Sequence, residues 1–459
     1  MTIHHHPILR ADASLLCWSE ILREIVLALT IALAGTHTLL AAPEGTVARG
    51  RLELATQTHT SVAFQSLSQS RALFCLSDGT RLDVPTSTVV GWGRLPPWPQ
   101  GPMVLLAGGG LLAGTIESLD AQTAVLQCGA FGRIELPARA VNGYRLSIAA
   151  GPIPRQVKGL DAETSNGLGQ ERLCQVQLLN GDRVAARQLS WNEQMLQLDG
   201  VQNLAAAVPS AARKGKPATS GSVQIPVGMV QAIDLPIVKS VQEKSTLRSV
   251  VALVDGSRFP VAAIDPIENP NARPPLAECV VLAGDIRHKA VCDPGEIVAI
   301  AVDGGCAQAL ATLTPTAVMQ TPSLAVPWLL AMGCTPTGDW LSARGVTAFD
   351  GLGLHGPARL SYRFVAPVDR FESLVAIDDS AGHKGSVIVR ILARRKEGAM
   401  QEVFASPVLR GGDEPHFVQA ELQQAIEIQL CIEAADRGDI LDRTVWLDPR
   451  VIVSATASD

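Results

Sequence analysis

Aromatic side chains are scarce in this chain, at 4% of its 459 residues. Its cores must therefore be built from aliphatic side chains, and 40 glycines with 29 prolines favour short strands and tight turns over long helices. Charge is thin as well: 18% of residues, a net charge of −6 and no basic block, which excludes nucleic acid as a partner. The nine cysteines form no CxxC pair, which argues against a zinc site. No HExxH motif, P-loop or Ser-His-Asp order occurs, and no segment sustains a 3.6-residue period. What is present is a 47% hydrophobic content, enough to bury real cores in two to four domains.

Residues 1–42 read as a signal peptide or an N-terminal anchor. A leader ends at Arg23, and "IVLALTIALA" follows from Ile25 to Ala34, closing on the small-x-small site Ala32-Leu33-Ala34. Ala41-Ala42 offers a second such site. The rival anchor, Ile25 to Ala42, is only 18 residues and contains His37. The short apolar run favours cleavage, so the mature chain is expected to begin between Gly35 and Pro43 and to be exported: periplasmic, cell-surface or secreted. Eight cysteines lie beyond it, mostly in apolar alternation as in "LFCL" and "VLQC", where buried free thiols are expected.

The first two-thirds of the chain repeats. "SLSQSRALFCLSDGTRLDVPTSTVVGW" from Ser66 aligns without a gap on "SLDAQTAVLQCGAFGRIELPARAVNGY" from Ser118, at an offset of 52. Pro85 falls on Pro137, Val89 on Val141 and Trp92 on Tyr144. A third copy keeps the spacing at Pro226, Val230 and Ile233, and a fourth, ending in "CDPGEIVAI", is slipped by about one residue. Asn180-Gly181 and Asp255-Gly256 predict two-residue hairpins. "GGGLLAG", Gly108 to Gly114, has no helix after it to meet a dinucleotide and is expected in a hairpin. The expectation is two small β-barrels or rolls over 43–150 and two more, with loop insertions, over 151–307, stacked to cover each other's edges.

From about residue 308 the strands change. "ARLSYRF", "SVIVRIL", "IEIQLCIEA" and "DPRVIVS" alternate between Gly, Asp and Pro turns, which signals a β-sandwich. "GLGLHGPARLSYRF", "FESLVAIDDSAGHKGSVIVRIL", "SPVLRGGD" and "DRGDILDRTVWLDPRVI" occur in the order and at the spacing of a known module. Residues 308–459 resemble the NPCBM/NEW2 domain, a carbohydrate-binding type found beside glycoside hydrolases and in exported planctomycete proteins. "LTP", "QTP" and Trp328 resemble its lead-in. The resemblance implies a galactose-binding-like jelly-roll β-sandwich and a polysaccharide or glycoconjugate partner. The full fold expectation is thus all-β: tandem small barrels followed by that sandwich.

Candidate site residues gather in its loops. Asp378 and Asp379 end a strand; "DRGDILD" adds Asp436, Arg437, Asp439 and Asp442; His355 could hydrogen-bond a sugar hydroxyl. Adjacent strand residues point to opposite faces, so Asp378 and Asp379 do not suit the carboxylate pair of a glycosidase. Turn-capping is the simplest role for these aspartates, and Ca²⁺ is the one cation their oxygens would suit; no other cofactor is implied. Trp340, in irregular and therefore exposed chain, is the expected stacking platform, and Trp446 a core residue. The sum is an exported, non-catalytic carbohydrate-binding protein. The alternative is an envelope scaffolding protein whose β modules bind other proteins.

Overall fold

A computed structural model describes residues 48–153, 173–192, 194–201, 221–236, 247–268, 276–321, 323, 328–436 and 438–453. The expected signal or anchor segment and Arg437 lie outside the described residues. All described residues fall in the unit Val47–Asp459. They form strands, 3-10 turns and loops, with no α-helix among them.

Four small β units come first, three of five strands and the third of six. In the first, Arg49–Leu54 pairs with both Thr58–Leu67 and Val89–Gly93, while Arg71–Cys75 bridges Thr58–Leu67 and Arg81–Pro85. The same connectivity recurs in the unit from Met103–Leu106 to Val141–Arg145, and again in the unit from Arg248–Leu253 to Ile297–Asp303. In the third unit, Cys174–Leu178 pairs with Arg183–Ala186 and Val230–Asp234, and a second ladder joins Gln188–Trp191, Met195–Asp199 and Val223–Pro226.

The repeat rests on one backbone device. Pro85, Pro137 and Pro226 each cap a three-residue 3-10 turn with φ near −57° and ψ between 131° and 137°, then release the chain into the final strand. The fixed φ of proline suits that cap. The expected slip in the fourth unit is a displacement of the proline alone. Asp293 takes the cap position, its carboxylate accepting from the Gly295 N–H at 2.7 Å, and Pro294 follows as the first turn residue. Counted from the cap, Trp92, Tyr144, Ile233 and Ile300 occupy one position, each opposite the unit's first strand.

Those equivalent residues also join the units. Trp92 pairs with Ile300 across an antiparallel seam between the first and fourth units, and Tyr144 pairs with Ile233 between the second and third. A single apolar core runs through all four, from Leu52 and Phe74 to Leu126, Leu198 and Val302. Units of this size bury too little alone, and the seams supply the missing area. At the first seam Gly93 is indispensable: its φ is +82°, and a Cβ there would lie 1.9 Å from the Val298 carbonyl oxygen. Gly93→Ala should therefore lower the unfolding free energy by roughly 2 kcal/mol or more, read from urea titration. An unchanged midpoint would mean that the seam opens without cost.

The hairpin expectation needs correction. Gly181 and Gly256 each have φ of +89°, but Asn180 and Asp255 stay at negative φ. The Leu178 and Leu253 N–H groups donate across three intervening residues, to the Asp182 and Ser257 carbonyls, so the loops are longer than two-residue turns. Side-chain capping explains why: Asn180 Oδ1 accepts from the Asp182 N–H and Asp255 Oδ1 from the Ser257 N–H, which holds the negative-φ geometry. Gly108 and Gly109 do turn a hairpin, between Met103–Leu106 and Gly110–Leu119.

The remaining strands form a jelly-roll β-sandwich. Ala358–Ile377 and His416–Ala434 are long strands that pair with each other along both halves, with a register break after Arg363. Their one half continues into Ser386–Arg394 and Gln401–Ala405, and the other into Arg443–Ile452 and Gly351–His355. Trp446, fully buried, meets Phe371 edge-on at 5.9 Å between the layers.

The sandwich is seated on the barrels. Arg258 of the fourth unit lies 3.6 Å from the Trp98 ring centre and donates to the carbonyls of Ala348 and Pro96 and to Thr347 Oγ1. Trp98 donates to the Leu341 carbonyl at 2.9 Å. Nearby, Glu53 of the first unit and Glu372 of the sandwich share the Arg450 guanidinium, at 2.7 and 3.1 Å.

Candidate functional site

Strand ends at one edge of the sandwich carry the polar groups. His355 closes Gly351–His355, and Arg443 opens Arg443–Ile452 directly opposite it. Directly paired residues leave a sheet on the same side, so the two side chains emerge together. Trp328 lies on this pair: its ring stacks on the His355 imidazole at 5.1 Å and 14°, and the Arg443 guanidinium carbon sits 5.2 Å from the ring centre. Trp328 is only half-buried. His355 Nδ1 is 2.7 Å from the Gly356 carbonyl, a contact that as an N–H donor would leave Nε2 for a ligand.

A hydrogen-bonded chain runs from this cluster into the loop that follows the strand Ala358–Ile377. Arg443 donates to Ser380 Oγ at 3.0 Å, and Ser380 donates to Asp378 Oδ2 at 2.9 Å. Thr337 Oγ1 lies 2.9 Å from Asp339 Oδ2 and 3.4 Å from Asp378 Oδ2. Asp378 is buried and also caps the turn Asp379–Ala381, accepting from the Ser380 N–H. Asp379 points outward, and its two oxygens accept from the Arg344 N–H at 3.1 Å each. The two carboxylates thus serve different neighbours.

The C-terminal loop splits likewise. Asp439 accepts from the Ser323 N–H at 2.7 Å; that bond, with His355 nearby, holds its carboxyl below the usual range. Asp436 is exposed, and its carboxylate pairs with Arg410. Asp442 is fully buried: Oδ1 accepts from the Ser386 N–H at 2.8 Å, and Oδ2 has no partner. No three of the His, Cys, Asp or Glu residues converge on a metal position among the described residues. The aspartates therefore do not gather into a calcium rim.

Burial pushes the Asp442 carboxyl up to about 6. A carboxyl whose folded pKa is raised binds its proton more tightly in the folded chain. Its contribution to stability is therefore intact below about pH 4 and is lost as pH rises toward 6. Asp442→Asn should keep the Ser386 bond and remove that loss. Urea midpoints for the two proteins should coincide near pH 4, separate between pH 4 and 6 and stay apart above it, the variant then being more stable by about 1–3 kcal/mol. Parallel curves would place the titration elsewhere.

Trp340 overturns an expectation. It is 7% exposed, meets the Trp98 ring at 4.9 Å and a tilt of 44°, and packs with Met103, Leu105 and Leu111 of the second barrel. Irregular chain here is covered by another module, so its indole presents no face to solvent. Trp328, named from the sequence only as part of the lead-in, and Arg443, not named at all, occupy the place expected of Trp340. The available signal was the pairing of a polar strand end, His355, with a tryptophan in the lead-in tract.

Residues 316–452 match the family model described as the NPCBM/NEW2 domain. No curated protein matches the chain. Among solved structures, the chain is similar to CBM51 from Clostridium perfringens GH95 in complex with methyl-galactose, at 16% identity and a TM-score of 0.28, covering 32% of this chain and 99% of that one. It is also similar to the tandem CBM51 modules of a family 98 glycoside hydrolase from Streptococcus pneumoniae SP3-BS71, at 10% identity, a TM-score of 0.28, and 90% and 98% coverage. A third is a family 43 arabinoxylan arabinofuranohydrolase from Bacillus subtilis in complex with cellotetraose, at 11% identity, a TM-score of 0.22, and 85% and 95% coverage.

Proposed function

We propose, with residues 316–452 belonging to the NPCBM/NEW2 family, that this chain is an exported, non-catalytic glycan-binding protein whose sandwich holds a saccharide against Trp328. The observation that carries the reading is the half-exposed Trp328 ring, fixed by His355 and Arg443 beside Asp439. Hydrogen bonds to a sugar largely replace bonds to water, so a stacking face has to add to them. An indole meets the C–H face of a pyranose, while imidazole, guanidinium and carboxylate groups fix its hydroxyls. Non-catalysis is supported by the carboxylates: Asp378 is committed to Ser380, and Asp379 to the Arg344 backbone. The module limits proposed with this reading are 43–150 and 151–307 for the paired barrels and 308–459 for the sandwich.

The test is retention on a polysaccharide panel, using the whole chain because truncation would expose Trp340 and remove Glu53 from Arg450. Trp328→Ala should weaken retention at least about tenfold with little change in melting temperature, and Trp340→Ala should do the reverse. If the wild-type chain is retained by no glycan on a broad panel, binding of envelope proteins by the sandwich becomes the better account.

A further inference from the structure

We propose that the barrels hold the saccharide site of the sandwich in its binding geometry through one hairpin, with Thr347 at its base and Asp379 at its tip as positioning residues. This rests on the reading above for what the site binds, but not for how the site is held.

The hairpin is built to be stiff. Ser342 pairs with Thr347 and Ala343 with Val346, and the two-residue turn between them has φ of +52° at Arg344 and +77° at Gly345. Positive φ at both central residues gives the tight turn whose twist matches its strands. An arginine in that conformation persists where its surroundings fix it. Here Asp379 fixes it, since both carboxylate oxygens accept from the Arg344 N–H at 3.1 Å. Leu341 and Ala343 pack in one cluster with Val445 and Leu447. Those two alternate along their strand with Arg443 and so share its face.

The base is held from outside the sandwich. Thr347 Oγ1 donates to the Pro96 carbonyl at 2.8 Å and accepts from Arg258 at 2.7 Å. On either side of it, the Leu341 carbonyl accepts from the Trp98 indole and the Ala348 carbonyl from Arg258. Pro96 and Trp98 lie between the first two barrels, and Arg258 opens a strand of the fourth. The tip in turn meets the site through one short turn. Asp379 begins it, Ser380 accepts from Arg443, and Arg443 lies against Trp328. If the base loosens, the tip drifts from Asp379 and Arg443 samples other positions. A saccharide then binds only the fraction of chains that keep the geometry.

Thr347→Val keeps the shape of the side chain and removes its hydroxyl, Thr347→Ser keeps the hydroxyl, and Asp379→Ala frees the tip. In the sugar-free whole chain labelled with 5-fluorotryptophan, Thr347→Val and Asp379→Ala should each shift or broaden the Trp328 fluorine signal and leave that of Trp446 fixed. Thr347→Ser should leave both in place. In titrations with methyl glycosides of galactose, glucose and mannose, each of the first two changes should weaken whatever binding the wild-type chain shows by at least about threefold. The double variant should be no weaker than the weaker single one. An unmoved Trp328 signal in Thr347→Val, a Trp446 signal that moves alike, or single effects that multiply in the double variant would each overturn the proposal. Multiplying effects would mean that Asp379 meets the sugar itself. Failure of the wild-type chain to bind any of the three glycosides counts against the saccharide reading alone, because the sugar-free signals still decide whether the hairpin holds the site.

Discussion

Trp446→Ala should lower the unfolding free energy by about 3–5 kcal/mol. The indole is fully buried between the two layers of the sandwich, edge-on to Phe371 and beside Leu352 and Val375 on neighbouring strands. Removing it deletes the contacts of the largest side chain in that core and leaves a cavity that paired strands on both sides cannot close. Chemical denaturation monitored by circular dichroism gives the number. A loss under about 1 kcal/mol would mean that the layers collapse around the gap, against the rigid packing described here.

Arg450→Met should cost about 3 kcal/mol or more, for a different reason. Arg450 holds Glu53 and Glu372 together, with Arg370 against Glu372 at 2.7 Å. Burial raises the Glu53 carboxyl, while for Glu372 the Arg450 and Arg370 charges outweigh burial and lower it. Without Arg450 the two acids face each other where the sandwich meets the first barrel, with Arg370 and the more distant Arg51 as the remaining cations. Taking Glu53→Gln into the Arg450→Met chain should restore part of the loss, because it removes one of the stranded charges. In a double-mutant cycle the two changes should thus be non-additive by 1 kcal/mol or more. Additive effects would mean that the barrel and the sandwich do not communicate through this cluster.

Sequence reasoning read local features well and tertiary ones poorly. The repeats were legible because Pro85, Pro137 and Pro226 each cap the same turn and so had to keep their spacing to the final strand. The fourth copy looked slipped because Asp293 had taken over the cap by a side-chain bond, a substitution invisible to a proline count. Trp446 was legible as core from its place in an alternating strand. Trp340 was not, since what buries it is Trp98, more than 240 residues earlier, whose indole N–H reaches the Leu341 carbonyl. The aspartates show the same limit: Asp378 and Asp442 look alike in sequence, yet one serves a surface network and the other is sealed beneath Ser386 with one oxygen unpaired. Sequence spacing brought His355 and the "DRGDILD" loop into one candidate set, but only strand pairing sets His355 opposite Arg443 and shows Trp328 lying on both.

The glycan-binding reading is tested most directly by the tryptophans themselves. The whole chain, labelled with 5-fluorotryptophan, can be titrated with a saccharide that its polysaccharide panel retains. The fluorine signal assigned by Trp328→Ala should move in proportion to occupancy, and those of Trp340 and Trp446 should stay fixed. Binding that leaves the Trp328 signal in place, or that moves Trp340 instead, would contradict the site.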